Sequence, residues 1–118
     1  MIFNPFDVVV VPFPFTDRDA SKRRPALVLS GEDFNHSHAQ VVLGMITSSM
    51  QSPWPSDTML NEWQEAGLSV PCKLRFKIFT LEQSLVLRKA GALTDKDAKA
   101  VHIGLSSLLG TKFNKPIK

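Results

Sequence analysis

The chain has 118 residues, of which 43% are hydrophobic and 21% charged, and its formal net charge is +3. This length suits a single domain with a buried core, and the composition excludes global disorder. The single cysteine, Cys72, excludes an internal disulfide. The apolar runs are too short for a membrane span or a secretory signal, so a cytoplasmic protein with no membrane partner is expected.

The first half of the sequence predicts strands separated by polar turns. Residues 7–15 are rich in β-branched and aromatic side chains, which favours a mostly buried strand. Because proline cannot donate to a ladder, this strand should end or lie at a sheet edge where its prolines occur. The polar residues 16–23 predict an exposed loop. Further strands are predicted at residues 24–30, 40–47 and, briefly, 58–60.

The second half predicts two more strands and one clear helix. Residues 62–67 favour a helical turn that ends at Gly67. Residues 73–79 alternate charged and apolar side chains, as a strand with one wet face does, and residues 84–89 predict another strand. Thr94 is a suitable N-cap for the helix. The apolar face of this helix is predicted to consist of Ala98, Val101, Leu105, Leu108 and Leu109.

The end of the helix also sets the domain limits. Gly110 is expected to end the helix, and residues 112–118 have few apolar side chains and predict a flexible tail. The domain itself is therefore expected to span residues 1–111. These elements together predict a mainly β domain, a small and strongly bent antiparallel sheet closed by a C-terminal helix.

Several charged and aromatic side chains are candidates for binding. The run from Lys22 to Arg24, with basic side chains elsewhere in the chain, suits either a solvated surface or a groove for an RNA backbone. Arg24 alone would equally suit an ion pair at a strand edge with Asp17 or Asp19. Trp54 lies between two prolines, which makes it a candidate for stacking or for contact with a partner.

Candidates for acid–base or metal chemistry are few. His36 and His38 have the side chains best suited to proton transfer near neutral pH, but they are expected in a polar, solvated loop. His102 lies on the predicted helix, and Cys72 has no neighbouring base in the sequence. Since no His, Cys, Asp or Glu residues have the spacing of metal ligands, neither a metal nor another cofactor is expected.

Residues 7–30, DVVVVPFPFTDRDASKRRPALVLS, resemble the N-terminal signature of the MazF/PemK family of toxins. Further motifs follow in the order of that family and extend the resemblance over nearly the whole chain. They are residues 34–35 (FN), 45–48 (MITS), 63–68 (WQEAGL), 70–71 (VP), 79–81 (FTL) and 91–94 (GALT). The ordered set is more specific than any one of these motifs.

The resemblance implies an SH3-like, five-stranded, barrel-like sheet and a homodimer that a cognate antitoxin protein silences. It implies the toxin of a type II toxin–antitoxin system, an endoribonuclease that cuts single-stranded RNA without a metal. The products would carry a 2′,3′-cyclic phosphate and a 5′-hydroxyl.

Two residues carry over from the family as catalytic, Arg24 and Thr47. The planar guanidinium of Arg24 suits a phosphate, and the Thr47 hydroxyl can donate to a phosphate oxygen. Other side chains near them are expected to contact the RNA. They are Thr16, Asp17, Arg18, Lys22, Arg23, Ser48, Ser49, Arg75 and Lys77.

Two positions depart from the family pattern. Phe6 stands before Asp7, where a glycine is common. Residues 73–79 contain no acid, although some members place one in this strand, so a purely basic wall is predicted here. Because fold does not fix function, two alternatives stay open: a non-catalytic growth inhibitor that binds a protein such as DNA gyrase, and a family member that keeps only a binding function.

Overall fold

The computed structural model describes residues 2–13 and 22–110, which form one six-stranded antiparallel sheet and two helices. The strands are β1 (Asp7–Phe13), β2 (Lys22–Val28), β3 (Gln40–Ser48), β4 (Thr58–Leu60), β5 (Cys72–Glu82) and β6 (Arg88–Ala92), and the helices are α1 (Glu32–His38) and α2 (Asp95–Leu109). The strand order is β4-β5-β3-β2-β1-β6. The prediction of a mainly β, curled antiparallel sheet with a C-terminal helix is confirmed, with six strands where the resemblance implied five.

Several predicted boundaries change. β2 begins at Lys22, inside the predicted loop, and β6 begins only after a 3-10 turn at Gln83–Leu85. Residues 61–67 form hydrogen-bonded turns and not a helix, although Gly67 has the expected positive φ of 86°. The end of the first predicted strand, most of the loop that follows it and the predicted tail lie outside the described residues.

The sheet is apolar on both faces. Val9, Ala26 and Leu43 belong to a cluster on one face, which we call the first face. Leu27 and Val101 belong to a cluster on the other, second face, which α2 helps to cover. Successive side chains of a strand alternate between the two faces. A strand residue therefore shares the face of a core residue in the same strand when an even number of positions separates the two.

Pro25 explains where the β2–β3 ladder ends. The Leu29 N–H donates to the Val42 carbonyl (2.8 Å), and alternate residues of a strand direct their N–H groups to the same neighbour. The backbone nitrogen of Pro25 therefore faces β3, but a proline nitrogen has no N–H to donate to it. The β2–β3 ladder ends at Ala26 and Met45, whereas β3 continues to pair with β5. The sheet splits between β2 and β3 from this point on.

Pro12 marks a similar end on the other side of β1. The Val10 carbonyl accepts from the Leu87 N–H (2.9 Å), and the β1–β6 ladder ends at the pair of Val10 and Arg88. Among residues 2–13 and 22–110, Pro12 then pairs only with Arg23 of β2. The expected sheet edge is therefore present at Pro12, although most of β1 lies between two strands.

Helix α1 replaces the polar loop predicted around His36 and His38. Asn35 is the anchor of this helix: it is buried, and its side-chain amide donates to the carbonyls of Phe3 (2.9 Å) and Ser30 (3.2 Å). A helix of seven residues is too short to show an apolar period, so the sequence pattern does not reveal it.

Phe6 and Ala39 are the two described residues other than glycine with a positive φ. Phe6, at 70°, occupies the position where the family commonly has glycine. Its ring packs against the second-face core, and its carbonyl accepts from the Leu93 N–H (2.9 Å). These contacts offset the cost of the left-handed conformation, which is about 1–2 kcal/mol for a residue with a side chain.

Ala39 ends α1 with a φ of 53° and is exposed. We expect Ala39→Gly to raise the free energy of unfolding by about 0.5–1 kcal/mol, because glycine adopts this conformation without steric cost. Urea denaturation measures the change. The reverse control is Gly110→Ala at the end of α2, where φ is 61°. This substitution should lower the free energy of unfolding by a similar amount. Unchanged stability of Ala39→Gly would show that Ala39 is not strained.

The start of α2 is built as predicted. The Thr94 hydroxyl accepts from the Asp97 N–H (3.4 Å), which confirms Thr94 as the N-cap. Asp97 itself is buried, and its carboxylate accepts from the N–H groups of Asn61 (3.2 Å) and Glu62 (2.8 Å). One carboxylate thus ties the turn after β4 to the first turn of α2.

The apolar face predicted for α2 is covered only in its first half. Val101 is fully buried, whereas Leu108 and Leu109 remain 47% and 60% exposed. Among the strands, α2 contacts mainly β4, which has only three residues. The helix therefore extends beyond the part of the sheet that covers it.

Candidate functional site

Arg24 and Thr47 lie on opposite sides of the split between β2 and β3. In the β2–β3 register Ala26 is opposite Met45, so two further residues along each strand place Arg24 opposite Thr47. Both continue the first face, because side chains two residues apart share a face. Arg24 is exposed and Thr47 is half-buried. A guanidinium and a hydroxyl thus flank an open gap in the sheet.

The Arg24 side chain is held by stacking. Its Cζ lies 4.7 Å from the centroid of the Phe13 ring, a cation–π contact that orients the guanidinium without using its N–H donors. Within residues 2–13 and 22–110, no carboxylate forms an ion pair with Arg24. The alternative partners Asp17 and Asp19 lie outside the described residues. Among the described residues, the exposed Arg24 guanidinium thus has no acidic partner and is available to an anion.

The two serines after Thr47 form a turn at the end of β3. The Ser48 hydroxyl accepts from the Met50 N–H (3.2 Å), and the Ser49 N–H donates to the Pro71 carbonyl (3.0 Å). An accepting hydroxyl still has its own proton to donate. Ser48 is thus held close to Thr47 and can contribute a further hydrogen-bond donor.

A carboxylate lies at the centre of the basic side chains of β5. Arg75 Nε and Nη2 donate to the two oxygens of Asp57 (3.1 and 2.9 Å), and Lys73 Nζ lies 3.3 Å from the second of these. The Lys73 and Asp57 side chains are only 4% and 7% exposed. The hydrogen bond from Arg75 is the main cause that lowers the pKa of Asp57 from 3.8 to about 2, and the same bond raises the pKa of Arg75.

The prediction of a purely basic wall is therefore wrong. Residues 73–79 of β5 contain no acid, but Asp57 reaches them from the preceding loop. The same two cations hold that loop: Lys73 Nζ donates to the Gln51 carbonyl and Arg75 Nη2 to the Ser52 carbonyl, both at 2.6 Å. This cluster fixes the segment that follows Thr47.

Asp57 was missed in the sequence, although a local signal exists. Its carboxylate accepts from the Trp54 N–H (2.9 Å), and its own N–H donates to the Trp54 carbonyl (3.1 Å). A proline-rich segment that ends in aspartate is typical of such side-chain-closed turns. What the pattern does not reveal is that the turn is placed against Arg75.

Trp54 forms a platform above this cluster. Its side chain is 40% exposed, with Arg75 Cζ 4.7 Å and Lys77 Nζ 5.5 Å from the ring centroid. Lys77 is exposed, whereas Arg75 is engaged by Asp57. An aromatic surface beside cations suits nucleotide bases and backbone together.

The Asp57 cluster predicts a pH-dependent stability difference. Asp57→Asn should lower the free energy of unfolding by about 2 kcal/mol at neutral pH, because charge-assisted hydrogen bonds are lost beside the buried Lys73. Since the pKa of Asp57 falls from 3.8 to about 2 on folding, its charged form stabilises the protein above pH 4. That contribution is lost as pH falls through about 2. Parallel urea titrations between pH 7 and pH 2 measure it; a difference that persists unchanged at pH 2 would contradict the assignment.

The histidines lie away from the Arg24–Thr47 gap. His36 and His38 are on α1, before the start of β3, whereas Thr47 is near its end. At about 3.3 Å per residue, the length of β3 separates them from Thr47 by more than about 20 Å. His102 is exposed on α2. His36 and His38 therefore cannot accept a proton at the gap within one chain.

Within the described residues, no group of three or more His, Cys, Asp or Glu side chains is placed to hold a metal ion. In the same part of the chain, none of the helices has the length and apolar character needed to span a bilayer. Cys72 is buried, and this burial raises the pKa of its thiol, so it is not a ready nucleophile.

The fold and the site define a small curled-sheet protein with an arginine and a threonine at a split between two strands. The family profile of PemK-like, MazF-like toxins of type II toxin–antitoxin systems matches residues 4–109. The chain belongs to this family.

Solved structures of several toxins have a similar fold. A MazE–MazF complex from Deinococcus radiodurans has a TM-score of 0.73 at 22% identity, over 93% of this chain and 97% of the other. An endoribonuclease in complex with its cognate antitoxin from a mycobacterial species has a TM-score of 0.73 at 16% identity, over 95% and 97%. The Mycobacterium tuberculosis toxin MazF-mt6 has 0.71 at 16%, over 91% and 99%. A search of curated proteins found no match.

Proposed function

We propose that this chain is a metal-independent, sequence-selective endoribonuclease that cuts single-stranded RNA as the toxin of a type II toxin–antitoxin system. The observation that carries the proposal is the β2–β3 register, which ends at Ala26 and Met45 and, extended by two residues, puts Arg24 across the gap from Thr47. Membership of the toxin family and the similarity to a solved endoribonuclease support it.

In the proposed reaction the 2′-oxygen of the RNA attacks the adjacent phosphorus. The bond from phosphorus to the 5′-oxygen breaks, the 2′-hydroxyl loses its proton and the leaving 5′-oxygen gains one. The products are a 2′,3′-cyclic phosphate and a 5′-hydroxyl. Single-stranded RNA can adopt the in-line geometry that this attack requires, whereas a stacked duplex resists it.

Arg24 would stabilise the negative charge that grows on the non-bridging oxygens. Its guanidinium stays protonated, so it acts as a donor of hydrogen bonds and not as a base. The Thr47 hydroxyl would donate to the same phosphate. Asp57 does not serve as a base here, because its low pKa and its ion pairs with Lys73 and Arg75 keep it a weak proton acceptor.

RNA contacts beyond the scissile phosphate would come from the side chains around the gap. Lys77 and Trp54 offer an exposed cation beside an aromatic ring, and Arg75 contributes mainly by holding this platform in place. The other proposed contacts are Lys22, Arg23, Ser48 and Ser49, together with Thr16, Asp17 and Arg18, which lie outside the described residues.

We also propose a homodimer in the cytoplasm, silenced by a cognate antitoxin. Similar folds occur in a MazE–MazF complex and in an endoribonuclease bound to its antitoxin. The net charge of +3 favours an acidic partner segment that would cover the cationic gap. Size-exclusion chromatography with light scattering tests the dimer; a monomer at working concentration would contradict it.

An RNA-cleavage assay tests the proposed activity. Purified protein is incubated with a varied set of single-stranded RNAs in EDTA, and with the same sequences carrying 2′-deoxynucleotides. We expect cleavage of the RNA and none of the deoxy analogue. The alternative, a non-catalytic inhibitor of a protein such as DNA gyrase, predicts no cleavage of any RNA and loss of supercoiling activity when gyrase is added. The guanidinium and hydroxyl at the gap favour the ribonuclease, since a protein-binding inhibitor needs neither.

A further inference from the structure

A cleft of about 300 Å³ opens near the split, beside the ends of β2 and β6. Arginines 23, 24 and 88 line it, Val10 and Pro25 form an apolar floor, and the turn of residues 67–69 forms a wall. Arg88 was not singled out by the sequence pattern, because it lies in a short strand with no recognisable motif.

The sheet register places two of these arginines on one face. Val10 is paired with Pro25 on one side and with Arg88 on the other, so the three side chains share a face. Arg23 lies two residues before Pro25 and shares it as well. This is the second face, because Pro25 is two residues from Leu27. Arg23 and Arg88 thus flank an apolar strip on the face opposite to the one that carries Arg24 and Thr47.

These cations have no compensating charge within the described part of the chain. None of the ion pairs there involves Arg23 or Arg88, and no carboxylate lines the cleft. An anion bound between the two guanidinium groups would offset the repulsion of their like charges. Their planar forks match the oxygens of a phosphate, and the apolar floor suits the sugar or base attached to it.

The cleft and the gap have Arg24 in common. Within the described part of the chain, residues 22–25 of β2 pair only with β1, which leaves their other edge open there. Arg24 contributes to the cleft wall as well as to the first face. A chain that crosses this open edge would run from the gap to the cleft. Regularly spaced phosphates of a nucleic acid fit this path better than an acidic peptide, whose carboxylates have no fixed spacing.

We propose that the cleft is a second phosphate-binding site, in which Arg23 and Arg88 bind a phosphodiester of the same RNA next to the nucleotide that is cleaved. The inference rests on the proposed ribonuclease function and deepens it. Arg23 and Arg24 then have different roles. Arg24 acts at the cleaved phosphate, and Arg23 acts with Arg88 at a neighbouring phosphate.

The test measures binding of a fluorescein-labelled single-stranded oligodeoxynucleotide, which has the phosphodiester backbone but cannot be cleaved. Fluorescence anisotropy is recorded over a series of salt concentrations for the full-length chain and for the Arg23→Gln/Arg88→Gln variant. The matched control, Lys96→Gln/Lys99→Gln, removes the same charge from exposed positions of α2. We expect the cleft variant to bind about tenfold more weakly, with a salt slope smaller by about 0.7, the value for one phosphate contact on a single strand.

Three results would overturn the proposal. The first is an equal loss in the control variant, which would assign the effect to net charge. The second is displacement of the oligonucleotide by inorganic phosphate at similar concentration, which would assign the cleft to a free anion. The third is that a polyglutamate peptide binds the cleft variant more weakly than the unmodified protein, while the oligonucleotide binds both equally. Because the probe is not cut, failure of the cleft is distinct from failure of the ribonuclease, which shows only as uncut RNA.

Discussion

Arg24→Ala is expected to reduce RNA cleavage by about 10²- to 10³-fold, because it removes the principal donor to the negative charge of the transition state. The fold should survive, since Arg24 is exposed and its described contact is the stacking on Phe13. Such a contact is worth only about 0.5–1 kcal/mol at an exposed site. Initial cleavage rates in EDTA and urea denaturation of the same preparations measure both effects.

Two controls separate the role of Arg24 from that of charge alone. Arg24→Lys keeps the charge but loses the planar fork, so an intermediate rate is expected. Lys99→Ala removes a positive charge from an exposed position on α2 and should leave the rate unchanged. Cleavage by Arg24→Ala at the rate of the unmodified protein would show that the site is assigned wrongly.

Gly91→Ala is expected to lower the free energy of unfolding by more than about 3 kcal/mol, because the added methyl has no space. A Cβ at Gly91 would lie 2.4 Å from the Ala66 carbonyl oxygen and 2.8 Å from its carbon, which are backbone atoms that cannot rotate away. A Cβ on Gly67 would likewise lie 2.2 Å from the Ala90 carbonyl oxygen. The turn before β5 and strand β6 are thus packed backbone to backbone.

The matched control for this effect is Gly31→Ala. Nothing lies within 4 Å of a Cβ at Gly31, whose φ is −75° at the start of α1. A change of less than about 1 kcal/mol is therefore expected there. Thermal and urea unfolding measure the stability of the two variants. Equal midpoints for Gly91→Ala and Gly31→Ala would contradict a steric cost at Gly91.

Local patterns predicted much of this fold. The β-branched run of β1, the strand at residues 73–79 and the Thr94 cap each depend on neighbours in the sequence, and each is confirmed. The wet face predicted for that strand is wrong, because Lys73 is buried against Asp57 and Ile78 is 38% exposed. Pro25 was also informative, because the β2–β3 ladder ends at the position where its missing N–H would have faced β3. Boundaries and short elements such as α1 depend on contacts from elsewhere in the chain and were missed.

The candidate site also combines residues that the sequence predicted with contacts that only the fold reveals. Arg24 and Thr47 were selected by the family resemblance, and only the β2–β3 register, extended past its last pair, relates their positions across the gap. Asp57 is 18 residues from Arg75, and their contact exists because the β4–β5 pairing folds the loop back onto the sheet. Arg88 reaches its cleft through the pairing of β6 with β1. Such long-range pairings leave no periodic signal in the sequence.

The most direct test of the central claim is mass spectrometry of the ends of RNA fragments cut in the presence of EDTA. Attack by the 2′-hydroxyl at the Arg24–Thr47 gap predicts a 2′,3′-cyclic phosphate on the upstream fragment and a 5′-hydroxyl on the downstream one. A single 2′-deoxy substitution at the cleaved nucleotide should abolish that cut and leave other sites unaffected. Fragments with a 3′-hydroxyl and a 5′-phosphate, or a cut that persists at the deoxy position, would contradict it.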